Sequence, residues 1–280
     1  MTTIREARQT GRASLRQSPT PALDARLLLE HALGRDHAYL IAHDDEALTA
    51  EALAEYERAL ARAAAGEPIP YLTGHAPFMG LDFLVSSNVL IPRPETEQLV
   101  EMAIEWAEGR GAIRIVDVGT GSGCIAVSLA RTLPAAHLLA VDISAAALAV
   151  AAANVARHVP GRVQLVRGDL LTAIGPGLDL ITANLPYVAG PEWPTLPIGV
   201  KSYEPALALD GGADGLDLIR ALLPQAAARL RPEGLALLEI GWQQGQAVTE
   251  LAQAAFPAAE VSVQQDFAGH DRIVVIKLAG

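Results

Sequence analysis

The string Asp117-Val118-Gly119-Thr120-Gly121-Ser122-Gly123 constrains this chain more than any other part of its sequence. It ends the apolar run Ile113–Val118 and opens a helix-compatible run from Gly123 to Leu133, so three glycines sit where a strand becomes a helix. Glycines at that point let the backbone turn tightly and approach a ligand with no Cβ in the way. A dinucleotide site prefers G-x-G-x-x-G. Counted from Gly119 the last position is Cys124, which fails; counted from Gly121 it is Ala126, a tolerated variant. The D-x-G-x-G-x-G form, with its acid in the strand end, suits a ligand that carries positive charge. S-adenosyl-L-methionine has both a sulfonium and an ammonium.

Two further acids extend this reading. Asp142 ends the next apolar run and can accept both ribose hydroxyls of an adenosyl group; Asp169 ends the one after and can meet an adenine amine. Each alone reads equally as a cap for the following helix or turn. Cys124, the single cysteine, reads as helix packing, because no histidine lies near it in sequence.

Around the glycine loop the pattern alternates. Helix 95–108, strand 113–118, helix 123–133, strand 137–142, helix 144–157 and strands 163–168 and 178–183 are expected. A long loop, helix 215–230, strand 235–240, helix 243–255 and strands 259–265 and 272–278 follow. Single helices between strands imply a parallel, doubly wound α/β sheet, and the short final connection implies an antiparallel edge. Upstream, a helix begun by Pro21 ends at Gly34, and a second runs from Thr49 to Ala65. Residues 68–94, crowded with Pro, Gly and aromatics, read as a hairpin-bearing linker. The expected domains are a helical one over 1–75, a linker over 76–94 and an α/β domain over 95–280.

A net charge of -11 and a pI near 5.1 count against a dedicated nucleic-acid binder, which needs clustered Lys and Arg. The amino terminus lacks the apolar core of a signal peptide, and no apolar stretch is long enough to span a membrane without a charge or proline. A cytoplasmic, monomeric protein is expected. No histidine pair has metal-ligand spacing, and no metal is expected.

After the fourth strand of the alternating region comes Asn184-Leu185-Pro186-Tyr187. Loops at the carboxyl ends of parallel strands build the site in open α/β sheets. A primary amide nitrogen is a poor nucleophile, since its lone pair is delocalised into the carbonyl. The Asn184 side-chain oxygen and the Leu185 main-chain carbonyl can each accept one N–H of such a group and align it for methyl transfer. Tyr187 can pack on the planar group, and Pro186 stiffens the turn. The same geometry serves a glutamine side chain or the exocyclic amine of adenine. Elsewhere in a chain such a string reads as an ordinary Asn-Pro-type turn, and the non-enzymatic reading of the whole chain is a cofactor-sensing binding module whose helical domain docks a partner.

These residues resemble the HemK/PrmC family, the glutamine N5-methyltransferases of class I peptide-chain release factors. The resemblance runs from about residue 20 to the end. It is carried by Asp24–Leu29, by Glu67–Gly74, by Val89–Glu97, and by Tyr203–Gly212 with Asp214–Asp217. It implies a seven-stranded, Rossmann-like class I methyltransferase domain with an antiparallel last strand, preceded by a small helical domain and a β-hairpin linker. It also implies S-adenosyl-L-methionine at Gly119, Thr120, Gly121, Ser122, Gly123, Asp142, Asp169, Leu170 and Asn184. The substrate would be the glutamine of the release factor's Gly-Gly-Gln tip, bound by Asn184, Leu185, Pro186 and Tyr187. The family usually has Pro where this chain has Leu185; a leucine keeps the carbonyl that the proposed contact uses. The tetrad is also similar to that of rRNA adenine dimethyltransferases, which leaves an adenine N6-methyltransferase acting on RNA or DNA as the alternative.

Overall fold

The structure is a computed structural model that describes all residues, 1–280. The chain divides into two compact units, one of residues 1–75 with 197–203 and the other of residues 76–196 with 204–280. The hairpin of the linker therefore belongs to the second unit, and a short piece of the late loop belongs to the first.

The first unit contains α1 (Ile4–Ser14), α2 (Pro21–Leu33), α3 (His37–Ala42), α4 (Ala50–Ala64) and α5 (Ile69–Thr73). Its core joins Ile4, Ala7, Leu28, Leu29, Leu40, Tyr56 and Leu60. Helix α1 is absent from the expected elements because its inward positions are mostly small; Ile4, Ala7 and Gly11 make a faint stripe. Its start is nonetheless written in the sequence. Thr3 and Glu6 form a reciprocal capping box that satisfies two amides left free at the helix end.

The second unit opens with the hairpin β1 (His75–Phe78) and β2 (Leu81–Leu84), turned by Met79 and Gly80, both at positive φ. It continues with α6 (Glu95–Ala107), β3 (Arg114–Val118), α7 (Cys124–Thr132), β4 (His137–Asp142), α8 (Ala145–His158), β5 (Val163–Arg167) and β6 (Leu178–Asn184). After the loop that holds α9 (Ile198–Tyr203), a helix of the first unit, come α10 (Asp217–Ala227), β7 (Leu230–Glu239), α11 (Gly245–Ala255), β8 (Glu260–Gln265) and β9 (Asp271–Lys277).

The seven strands run β5-β4-β3-β6-β7-β9-β8, parallel through β7, with β9 antiparallel to both β7 and β8. Strand alternation sorts the core into two layers. Ile115, Leu180, Leu235 and Leu237 face the layer of α6 and α7; Val116, Ile181, Ala236 and Leu238 face that of α10 and α11.

One expected element needs correction. Helix 215–230 stops at Ala227, and β7 begins at Leu230 rather than Leu235. Pro232 and Gly234 read as a break, but the sheet absorbs them as an irregularity between the Leu178–Leu230 and Leu180–Leu235 pairs, with Glu233 at φ 62°.

Candidate active site

The connection order reverses between β3 and β6, so the loops that follow these two strands leave toward opposite sides of the sheet, with a crevice between them. A cavity of about 290 Å³ occupies it, near the small end of the range that small-molecule sites fill, roughly 300–1,000 Å³. Gly119, Thr120, Gly121, Ser122, Asp142, Asp169, Leu170, Asn184, Leu185 and Pro186 all line it. Gly123 and Tyr187 do not. Gly123 caps α7 at φ 80°, where a Cβ would press on Ala151 at 3.2 Å. Tyr187 packs beside Gly241, and its carbonyl accepts from Gln244 Nε2 at 3.0 Å. Burial raises the Tyr187 phenol above its ordinary range.

The glycine loop is held from below. Asp117 is fully buried and does not reach the cavity. Its carboxylate accepts from Thr120 Oγ1 at 2.6 Å and Thr182 Oγ1 at 3.0 Å. Burial lifts its pKa to about 6, against the pull of those two hydrogen bonds. The acid of the motif thus shapes the loop rather than touching a ligand. Thr120 is spent the same way: its hydroxyl points inward, so a ligand meets its backbone. Gly119, at φ 72°, lies where a Cβ would stand 2.8 Å from Leu185 Cδ2. The loop and the tetrad are therefore in direct contact, and only glycine fits between them.

Asp142 serves two purposes. Its oxygens accept from Gly121 N at 2.9 Å and Ser144 N at 2.8 Å, which fixes the loop and the start of α8. Each carboxylate oxygen keeps a lone pair for a further donor. The capping and ligand readings of this residue are compatible. An adenosyl group with two vicinal hydroxyls fits that donor demand, and Val118, Ile125, Ile143 and Leu170 supply apolar walls for a flat base.

Sequence reasoning did not single out Asn154, Thr96 or Glu239. Asn154 is fully buried on α8; it donates to Ser122 O and Leu84 O and accepts from Leu84 N, tying the glycine loop to the hairpin. Its sign was the first polar residue to interrupt an Ala-rich helix. Thr96 accepts a hydrogen bond from Asn184 Nδ2 at 3.1 Å. Glu239 pairs in register with Asn184 on the neighbouring strand and is 2% exposed. Glu97, in the first turn of α6, accepts from Met79 N at 2.6 Å and anchors the hairpin turn. Arg93, on the cavity wall, pairs with the buried Glu204, the neighbour of the wall residue Pro205.

Comparison with known proteins supplies the lineage of this geometry. Residues 6–74 match the PrmC N-terminal domain and residues 99–195 the methyltransferase small domain. The release factor glutamine methyltransferase of Moorella thermoacetica is 48% identical over 90% of this chain and 89% of its own length. That of Burkholderia pseudomallei is 42% identical over the whole of both chains. The chain belongs to the release factor glutamine methyltransferase family. Family likeness reaches further upstream than residue 20, since the matched region begins at residue 6, within α1. For the fold alone, a T. thermophilus 16S rRNA N2 G1207 methyltransferase solved with AdoMet and guanosine superposes with a TM-score of 0.51. It is 20% identical and aligns over 73% of this chain and 49% of its own. The seven-stranded sheet and the methyltransferase match over residues 99–195 together give the second unit its class I methyltransferase architecture. No helix of the chain is long and apolar enough to cross a membrane.

Proposed function

We infer that this chain transfers a methyl group from S-adenosyl-L-methionine to the side-chain amide N5 of the glutamine in the Gly-Gly-Gln motif of class I peptide-chain release factors. The observation that carries this reading is the placement of Asn184. Its carboxamide sits at the β6 exit, on the wall of the cavity that the glycine loop also lines, with its nitrogen already donating to Thr96. What remains for an incoming group is the acceptor, Oδ1.

We assign the cofactor to Gly119–Ser122, Asp142, Asp169 and Leu170, with Gly123 starting the helix behind them, and the substrate amide to Asn184 and Leu185, with Pro186 and Tyr187 holding the turn. When bound, the cofactor supplies an electrophilic methyl carbon on a sulfonium. Asn184 Oδ1 and the Leu185 carbonyl each accept one N–H of the glutamine amide, which aims the nitrogen's lone pair at the cavity. As positive charge builds on that nitrogen, the same two acceptors hold it, and the surplus proton leaves along one of them to solvent. Prior alignment of the two reactants can supply about 7–11 kcal/mol of the barrier in favourable cases. No base is required before transfer, because an alkylated amide nitrogen is strongly acidic. Tyr187, buried behind Pro186, stiffens the tetrad.

We further propose that the enzyme works as a cytoplasmic monomer and meets its substrate as a folded protein rather than through nucleic acid. The acidic charge and the single, buried Cys124 support this. The deciding measurement is mass spectrometry of a purified release factor incubated with enzyme and cofactor. One methyl group on the Gly-Gly-Gln peptide is expected. An unmodified peptide, from intact release factor as well as from fragment, would end the proposal. A Gly-Gly-Glu variant offers acceptors to acceptors, and we expect it to be rejected by on the order of 10⁴-fold.

A further inference from the structure

Asn184 can face the cavity in two ways, related by a half-turn of its carboxamide, and only one accepts a substrate N–H. Something must choose between them. Register places Asn184 opposite Glu239, and alternation puts both on the face covered by α6. Thr96, in the first turn of α6, is 2% exposed and lies between them. Asn184 Nδ2 donates to Thr96 Oγ1 at 3.1 Å, and the Thr96 hydroxyl and the Asn184 amide both stand close enough to the Glu239 carboxyl to favour its charged form. Glu239 Oε2 is enclosed without a partner.

An ionised carboxylate can only accept. Facing Thr96, it obliges that hydroxyl to donate, which turns the threonine lone pairs toward Asn184. Facing Asn184, it admits only the NH2 end. The carboxamide's N–H bonds then have Thr96 Oγ1 and the carboxylate as acceptors to face, and Oδ1 is left for the cavity. We propose that Glu239, acting with Thr96, is the positioning residue that locks Asn184 with its oxygen toward the substrate amide. This rests on the glutamine-methyltransferase reading of the site.

The lock is reversible by protonation. Burial is the main cause that lifts the Glu239 carboxyl to about 7, helped by Glu95 and opposed by Thr96, Arg272 and Asn184. Tyr187 and Cys124 also lie within its field. Once protonated, the carboxyl can donate to Thr96, the threonine can donate to Asn184 Oδ1, and the carboxamide turns its nitrogen outward. Donor then meets donor at the substrate.

The test is the pH profile of kcat on an intact release factor, with cofactor affinity followed separately by calorimetry. Wild type is expected to lose activity through an acid limb centred near 7. Glu239→Gln can present either end to its neighbours, so kcat at pH 8 should fall about tenfold or more while cofactor Kd stays within threefold, and the acid limb should vanish. Thr96→Val, close in shape but without the hydroxyl, should lower kcat in the same way, and Thr96→Ser should restore it; this pair carries the test should Glu239→Gln not fold. Wild-type kcat with an intact acid limb in Glu239→Gln, or full activity in Thr96→Val, would overturn the inference. Wild type that methylates no release factor would instead overturn the functional reading, so the two failures are distinct.

Discussion

Asp117 at the end of β3 and Glu239 at the end of β7 look alike at first sight. Both are buried carboxyls on the α6/α7 face of one sheet, each beside a polar residue of β6. They differ in how their oxygens are used. Each Asp117 oxygen is met by a threonine hydroxyl, whereas one Glu239 oxygen is enclosed with nothing against it. Burial accordingly raises Asp117 to about 6 and Glu239 to about 7. A satisfied carboxylate holds a loop in shape; an under-satisfied one beside the chemistry is kept for the polarity it imposes on its neighbours. The β3 exit is thus built to bind, the β7 exit to orient, and β6 stands between them.

The sharpest way to separate the two ends is to cut the residue they share. Asn184→Ala removes the side-chain acceptor while leaving Gly119–Gly123, Asp142 and their hydrogen bonds intact. We expect kcat to fall by about 10²–10³-fold, the scale for losing one transition-state hydrogen-bond partner, with cofactor Kd within threefold. Equal losses in rate and cofactor affinity would mean that the two ends are not separable.

Gly119→Ala attacks the other end and should give the opposite split. The new Cβ would stand 2.8 Å from Leu185 Cδ2 at φ 72°, so the loop or the leucine must shift. Backbone strain of this kind costs on the order of 1–3 kcal/mol, and spent against binding it weakens cofactor affinity by about 10–100-fold. Calorimetric titration reads this directly, and unchanged affinity would show that the loop does not carry the cofactor.

How much of this was visible beforehand follows the same division. The glycine loop, Asp142 and the tetrad are legible because backbone-built sites need glycines, strand ends and turns in a fixed order, and sequence records order. The β7 exit is not legible, because Glu239 joins Asn184 only through sheet register, and Thr96 joins them only through the docking of α6. In sequence, Glu239 is an acid at the end of an apolar strand, indistinguishable from a solvent-facing one. Asp117 misled in the other direction: its motif suggests charge offered to a ligand, yet the structure spends it beneath the loop. The start of β7 was obscured by Pro232 and Gly234, which break a strand in isolation but not one that a neighbour can follow through a bulge.

Stability offers a third contrast. Both carboxyls titrate higher folded than unfolded, so the folded state holds protons that the unfolded chain has released. Their contribution is fully present below about pH 4 and is lost as pH rises through about 6 for Asp117 and about 7 for Glu239. At pH 8 Glu239 therefore weighs against folding, and Glu239→Gln should raise stability there by on the order of 1–3 kcal/mol while slowing catalysis. At pH 4 the gain should shrink toward zero. Denaturant melts at the two pH values check this. A variant that loses stability at pH 8 would mean that the carboxylate is a structural brace like Asp117, and the contrast would collapse.

The smallest effect is expected at Leu185, where the family that the sequence resembles usually has proline. Leu185 is 4% exposed, and its side chain fills the space that Gly119 leaves open. Leu185→Pro would take away part of that filling and also restrict the backbone of the residue whose carbonyl is proposed to accept the second substrate N–H. The first change loosens the join between loop and tetrad, costing on the order of 1 kcal/mol if the cavity partly closes. The second preorganises the acceptor and returns about 0.4–1 kcal/mol through the unfolded chain, provided the native φ already suits proline. The two nearly cancel. We expect kcat and cofactor Kd within about threefold of wild type, and a melting temperature within a few degrees. A tenfold rise in kcat would show that rigidity at position 185, rather than the polarity set from Glu239, limits the alignment of the substrate amide.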